Sequence, residues 1–463
     1  MGSTIKIHNK DILFESSVAP EKEAERLLKN FNLEASDLLI LFGCSTRILL
    51  SKIIERTKKN STIICVDPDD QLKSLLTEDL LKSAYFFNFN EIDKIIAKIE
   101  EHFYKKKQDL FRHSLIKNPN IVRYYQKEYA ILEKRLSLLL HELYRNQLIT
   151  KKFEKLWKIN LSFNIETAKR KGFTIKGWKD LFNKCSALII CAGPSLDYYI
   201  KKLPLLKDKF VFIAVDTALL PLLYNNIIPE IVVTLDSQIE NVMDFFNPYV
   251  FSMCKETDLV IETTAHRKIP SLFPGRIFFF NTIKILKDPD TGKPVEFLES
   301  HYKKFQDLFK DCIGLQSGGS VSTSALDLCI FCGFKKIVFL AQDLGFIDYK
   351  IYCKGTYMDK RLSLIENRFF TRENFILNYV TLSERPLIYT KRKNFYRSSP
   401  VMDGYRNWLK DAVNLLKDRI FFCEPPWLEE GEPSYIKFSD LEKFTPVQKP
   451  ERPALPLYNN KNP

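Results

Sequence analysis

Short apolar runs, each ending in a polar or glycine-bearing turn, punctuate the chain. Near its start, residues 37–42 (DLLILF) and 61–66 (STIICV) predict two buried strands. Between them, Gly43-Cys44-Ser45-Thr46 marks a turn, and a helical stretch follows to about Lys58. Asp67 then closes the second strand, where a Rossmann unit holds ribose. One glycine stands where the phosphate-binding fingerprint needs three, so residues 1–90 read as a degenerate Rossmann-like α/β scaffold domain.

Residues 91–170 change period. Tyr129, Leu132, Leu136, Leu139 and Leu140 recur at helical spacing, and no glycine lies between Gly43 and Gly172. The expectation is a helical linker region whose apolar face packs internally, too short for several clean heptads.

From about 160 to 350, strands alternate with helices. The apolar runs are 187–191, 211–215, 231–235, 259–262, 277–280 and 337–340. They are continuous rather than alternating, the mark of strands covered on both faces. The predicted fold class is α/β: a central doubly wound, mostly parallel Rossmann-like sheet over 171–350, with the small N-terminal α/β domain and helical linker before it. A lid and helical region is expected over 351–424, including an amphipathic helix at 404–417. Eight of the 22 prolines lie from Pro425 onward, which predicts a Pro-rich extended tail over 425–463.

Composition narrows the options. In 463 residues, 70 Lys+Arg against 57 Asp+Glu leave a formal charge of +13. The excess is spread, with short clusters at Lys105–Lys107 and Lys391–Lys393, and no nucleic-acid-binding motif accompanies it. No nucleic-acid partner is expected. No apolar run approaches the ~20 residues of a membrane span, and MGSTIKIHNKD does not read as a signal peptide, so a cytoplasmic location is the default. The ten scattered cysteines suit reduced, buried thiols. Cys329 and Cys332 lie in a helical apolar pattern, and the six histidines supply no nearby pair to complete a zinc site; no metal site is expected.

The candidate chemistry sits where the central strands end, because open parallel sheets bind ligands beyond their carboxyl edge. The strands run into Gly193-Pro194-Ser195, Asp216-Thr217, Asp236-Ser237, Asn281-Thr282 and Gln342-Asp343. Each acidic ending alone is a possible helix cap; three on one edge suggest a shared polar pocket. Two segments offer backbone amides to an anion: Gly193-Pro194-Ser195, with Ser195 as a helix cap, and Ser317-Gly318-Gly319-Ser320 before the helix 321–332. Neither is a Walker A loop. Acids beside a phosphate must either accept hydroxyl hydrogen bonds or share a Mg²⁺; the first is favoured, and Mg²⁺ stays open. His266 follows a strand end and is a candidate acid or base. Residues 349–357, with Arg361, Lys391, Arg392, Lys393 and Arg397, offer cations and phenols for a lid, or simply a solvated surface.

The stretch Leu188 to Asp197, with Val215-Asp216-Thr217-Ala218, Ile228-Pro229-Glu230, Leu235-Asp236, Gly318-Gly319-Ser320-Val321 and Gln342-Asp343-Leu344, resembles the motility accessory factor family. The lead-in from Asn160-Leu161 to Asn164 is similar too. That family's central domain is described as similar to archaeal 6-hydroxymethylpterin diphosphokinase (MptE-like) and to bacterial sialyltransferases. The resemblance implies a nucleotide-sugar-dependent glycosyltransferase that moves a nonulosonic, sialic-acid-like sugar from a CMP-sugar co-substrate to Ser/Thr of flagellin. It implies a donor site at Gly193, Pro194, Ser195, Thr217, Asp236, Ser237, Asn281, Gly318, Gly319, Ser320 and Gln342. The catalytic base is sought among Asp216, Asp343 and His266. After Leu344 the sequence departs from the family pattern: Gly345-Phe346-Ile347-Asp348 replaces a histidine-containing stretch. Two alternatives stay open, an ATP-dependent pterin diphosphokinase and a non-enzymatic flagellin-binding assembly factor.

Overall fold

A computed structural model describes residues 4–7, 10–13, 15–44, 46–68, 73–105, 111–298, 302–303, 307, 312–348, 350–381, 388–389 and 395–450. The chain divides into two compact units, Met1–Glu154 with Ile285–Glu296, and Lys155–Lys284 with Phe297–Pro463.

In the first unit, strands β1 (Leu38–Phe42), β2 (Thr62–Asp67), β3 (Tyr85–Asn88) and β4 (His113–Lys117) form a parallel sheet ordered β3-β2-β1-β4. Helix α1 (Arg47–Arg56) links β1 to β2, as the βαβ reading predicts. The space above Gly43, at φ +64°, is filled by Ile121: an added Cβ would meet that side chain at 2.6 Å. A pyrophosphate has no room there. Strand β4 is a departure from the helical expectation for 91–170. Its two apolar residues, Leu115 and Ile116, are too few to show a period, and only the edge offered by β1 draws the segment into the sheet. Helix α2 (Ile92–Lys105) and the long helix α3 (Gln126–Lys171) supply most of the described remainder of that region. Tyr129, Leu132, Leu136 and Leu140 are buried against β1 and β2, so the stripe is a packing face.

In the second unit, the main strands of an eleven-stranded sheet among the described residues run parallel: β5 (Ser186–Ile190), β6 (Val211–Val215), β7 (Ile231–Thr234), β8 (Asp258–Glu262), β9 (Arg276–Lys287), β10 (Lys336–Leu340) and β11 (Ile420–Cys423). Their order is β9-β8-β7-β6-β5-β10-β11. The chain winds outward from β5 to β9, then crosses back to lay β10 on the other side of β5. The expected doubly wound sheet is borne out, and its switch point lies between β5 and β10. The strand interiors are fully buried, since helices α4 (Asp216–Tyr224) and α5 (Val321–Phe331) and their neighbours cover them.

Helix α6 (Tyr357–Ile365) and helix α7 (Pro400–Leu415) follow. Helix α7 begins four residues before the predicted 404, because Ser399 caps it and Pro400 fits its first turn. The described part of the tail is pinned rather than loose. Phe438 stacks on Tyr199 at 5.0 Å, Val447 N–H donates to Asp208 O at 2.8 Å, and Lys449 pairs with Glu230. All ten cysteines are buried thiols. Among the described residues no helix is long and apolar enough to cross a membrane.

Candidate functional site

A cavity of about 600 Å³ opens at the carboxyl ends of β5, β6, β7 and β10, over the switch point. Gly193, Asp216, Asp236, Gly319 and Asp343, predicted from distant parts of the chain, all line it.

Its first wall is built from the Gly193-Pro194-Ser195 loop and Asp343. A Cβ on Gly193 would lie 2.4 Å from both Ala341 O and Asp343 Oδ2, so only glycine admits this approach. Ser195 N–H donates to Asp343 Oδ2 at 2.8 Å, and Ser195 Oγ–H to Oδ1 at 2.6 Å. The anion cradled by this loop is therefore the protein's own carboxylate. That corrects the expectation of an exposed phosphate nest here. Ser195 is no cap either: it stands in helical conformation with no side-chain cap bond, before a helix of only four residues. Burial pushes the Asp343 carboxyl up to about 6, against the pull of the two Ser195 hydrogen bonds.

The second wall is acidic. Asp216 begins α4; its Oδ1 accepts from Thr217 N–H at 2.8 Å and its Oδ2 from Thr234 Oγ–H at 2.7 Å. Burial again dominates and pushes Asp216 up to about 6. Asp236 is exposed at the mouth, where its Oδ1 accepts from Gln238 N–H at 3.0 Å. Glu240 and Asp244 continue this wall.

The third wall is the turn 317–320 and the start of α5. Ser320 caps the helix by accepting from Ser322 N–H, and Thr323 Oγ accepts from Gly318 N–H at 2.9 Å. Val321, at the first helical position, lines the same cavity, and its N–H has no hydrogen-bond partner among the described residues. The glycines serve packing as well: a Cβ on Gly318 would meet the Trp408 ring at 2.6 Å, and one on Gly319, at φ +93°, the Tyr405 ring at 2.8 Å. Gln342 Nε2–H donates to Ser322 Oγ at 2.9 Å and ties this wall to β10.

Several predicted residues stand elsewhere. Pro194, Ser195 and Gly318 back the walls without lining them. Asn281 is fully buried and accepts from Thr263 Oγ–H at 3.0 Å. The Ser237 carbonyl accepts from Asn160 Nδ2–H at 3.0 Å. His266 does not line the cavity; its Nδ1 accepts from Lys268 N–H, and burial with Arg267 and Lys268 lowers its pKa. The Asn160–Asn164 motif also finds its role here. One turn apart on α3, both donate to backbone carbonyls of 263–265, pinning the loop after β8. Tyr349 and Lys391–Lys393 lie outside the described residues. Arg361 and Arg397 are described but do not line the cavity.

Residues 160–349 match the family model described as 6-hydroxymethylpterin diphosphokinase MptE-like. Among solved structures, the MAf glycosyltransferase from Magnetospirillum magneticum AMB-1 matches with a TM-score of 0.54 at 14% identity, covering 96% of this chain and 70% of that one. The chain has the fold of a motility accessory factor. The resemblance read from the sequence is thus supported by both matches. Comparison with curated proteins gives no match.

Sequence reasoning missed one acidic pair and part of the roof. Asp236, Glu240 and Asp244 recur at every fourth residue, a helical spacing that puts them on one side of the segment after β7. That signal was available. Tyr352 and Tyr357, from the segment 349–357 read as a lid, and Tyr405, on the predicted amphipathic helix, line the cavity together with Met358 and Met402, which the sequence did not single out. Among the described lining residues five are acidic and none is Lys, Arg or His. No three His, Cys, Asp or Glu side chains of the described residues group as metal ligands.

Proposed function

We propose that this chain is a glycosyltransferase that moves a nonulosonic, sialic-acid-like sugar from a CMP donor to a Ser/Thr hydroxyl of flagellin. One observation carries the reading. The switch-point cavity is lined both by the N-terminal residues of α5, Ser320 to Ser322, and by five acids, and none of its described lining residues is Lys, Arg or His. Such a cavity suits a donor with one phosphate and many hydroxyls better than a di- or triphosphate. The amide end of α5 takes the phosphate, while Asp236 and Glu240 accept from donor hydroxyls.

In the step, the acceptor oxygen bonds the anomeric carbon as the bond from that carbon to the phosphate oxygen breaks and CMP departs with the electron pair. The acceptor proton goes to Asp216, whose carboxyl, raised to about 6, is ionised at neutral pH yet basic enough to receive it. Asp343, hydrogen-bonded through both oxygens as Asp216 is, stands as the second candidate base after Asp216. His266 is set aside as base because it lies off the cavity. A cytoplasmic location goes with this reading.

The MptE-like match favours a second reading, diphosphate transfer from ATP to a pterin alcohol. Two measurements separate them. Calorimetry should give binding of CMP and not of ATP with Mg²⁺. Incubation with a CMP-nonulosonate and flagellin should add one sugar mass to the acceptor. Tight ATP binding without CMP binding would replace the first reading by the second.

A further inference from the structure

Asp244 sits in the short helix Val242–Phe245 after β7, and its side chain lines the cavity although only 6% of the residue is exposed. Its Oδ1 is buried without a hydrogen-bond partner among the described residues. The backbone N–H of Tyr357, at the start of α6, hydrogen-bonds the carboxyl. The charged and titratable residues that line the cavity with it are Asp216 from α4, Asp236 and Glu240 from its own segment, Cys191 after β5, Asp343 after β10, and Tyr352, Tyr357 and Tyr405; Asp216 and Asp236 act on its carboxyl. Among the described lining residues no Lys, Arg or His offsets a further negative charge. A carboxylate in that position would combine burial, an unsatisfied oxygen and like-charged neighbours, three costs acting in one direction.

We propose that Asp244 serves the donor site as an uncharged carboxylic acid, completing the wall without adding charge and holding the first turn of α6 so that Tyr357 and Met358 face the ligand. The inference rests on the donor-cavity reading above. Burial first, then Asp216, pushes its carboxyl up to about 8, in keeping with this role. Asn has nearly the shape and polarity of a protonated Asp and cannot ionise, so Asp244→Asn is the discriminating variant.

CMP affinity, measured by calorimetry between pH 6.5 and 9, tests the proposal. Wild-type affinity should fall about tenfold above pH 8 as Asp244 ionises, the size of a one-unit coupling. Asp244→Asn should lack that fall and bind CMP more tightly than wild type at pH 9. Parallel falls in both proteins, or loss of CMP binding in a folded Asp244→Asn at pH 6.5, would overturn it. A ligand-free readout separates this from failure of the donor reading. Because the folded-state pKa is raised, wild-type stability should drop relative to Asp244→Asn as pH rises from about 4 to 8. Equal slopes in urea titrations would sink the inference even if CMP never binds.

Discussion

The Cε1 atom of Tyr405 lies 2.8 Å from where a Cβ on Gly319 would stand, so helix α7 rests directly on the rim of the cavity. Gly319 also adopts φ +93°, which L side chains rarely reach. Gly319→Ala is expected to cost about 2 kcal/mol through strain and displacement of Tyr405. Differential scanning calorimetry should show a lowered Tm, and CMP affinity should fall with it. Gly404 is the internal control. It sits inside α7 with nothing within 4 Å of an added Cβ, so Gly404→Ala should raise stability by up to ~1 kcal/mol.

Ser195→Ala removes one of the two donors that hold buried Asp343. The orphaned oxygen should cost about 1–3 kcal/mol in urea unfolding. The Asp343 carboxyl should move further above its present value of about 6, since a hydrogen bond that favours its charged form is gone. An unchanged midpoint would mean that the loop does not depend on this bond.

Asp216 governs the predicted pH profile of transfer. As base it must be ionised, so turnover should fall as pH drops through about 6. Asp216→Asn should lose at least about a hundredfold in transfer while still binding CMP. A variant that transfers normally would remove Asp216 from the chemistry.

Glu262 gives a separate stability signature. It is wholly buried at the end of β8, accepts from Thr264 N–H and Oγ–H, and burial lifts it to about 7. A raised folded-state value means the folded protein holds a proton that the unfolded chain releases. The corresponding stability is present below about pH 4.5 and declines as pH rises to about 7. Glu262→Gln should flatten that decline in thermal melts.

Asn164 is fully buried, and its Nδ2 donates to the carbonyls of Thr263 and Ala265. Asn164→Ala leaves both unsatisfied and should cost about 2–4 kcal/mol, one to two for each orphaned group. Because those carbonyls belong to the loop after β8, protease sensitivity near residue 265 should rise as well.

The central strands were legible because continuous apolar runs leave no other explanation, and their polar endings named most of one edge. Strand β4 was not, since Leu115 and Ile116 gain meaning only beside β1. The glycine motifs were located correctly but explained in part for the wrong reason: Gly193 admits Asp343, and Gly318 and Gly319 admit Trp408 and Tyr405. A motif reports that close approach is needed, and not which group approaches. The sequence placed Asn281 at a strand end, but it lies inside β9, which runs on to Lys287, and His266 lies four residues past β8; each is hydrogen-bonded to a neighbour and lines no part of the cavity. The phenols of 349–357 and the helix carrying Tyr405 were legible as a lid, but that Met358 and Met402 join them follows from where α6 and α7 land, which no local pattern encodes.

The bond between Ser195 and Asp343 joins points 148 residues apart in the chain. During synthesis, everything from β5 to β9 emerges before the residue that closes the first wall. Until β10 arrives, β5 is an open edge and the Ser195 donors face water. A fragment ending before β10 would therefore carry nearly every acid of the cavity and still hold no finished pocket, while presenting β5 as a bare strand to its neighbours.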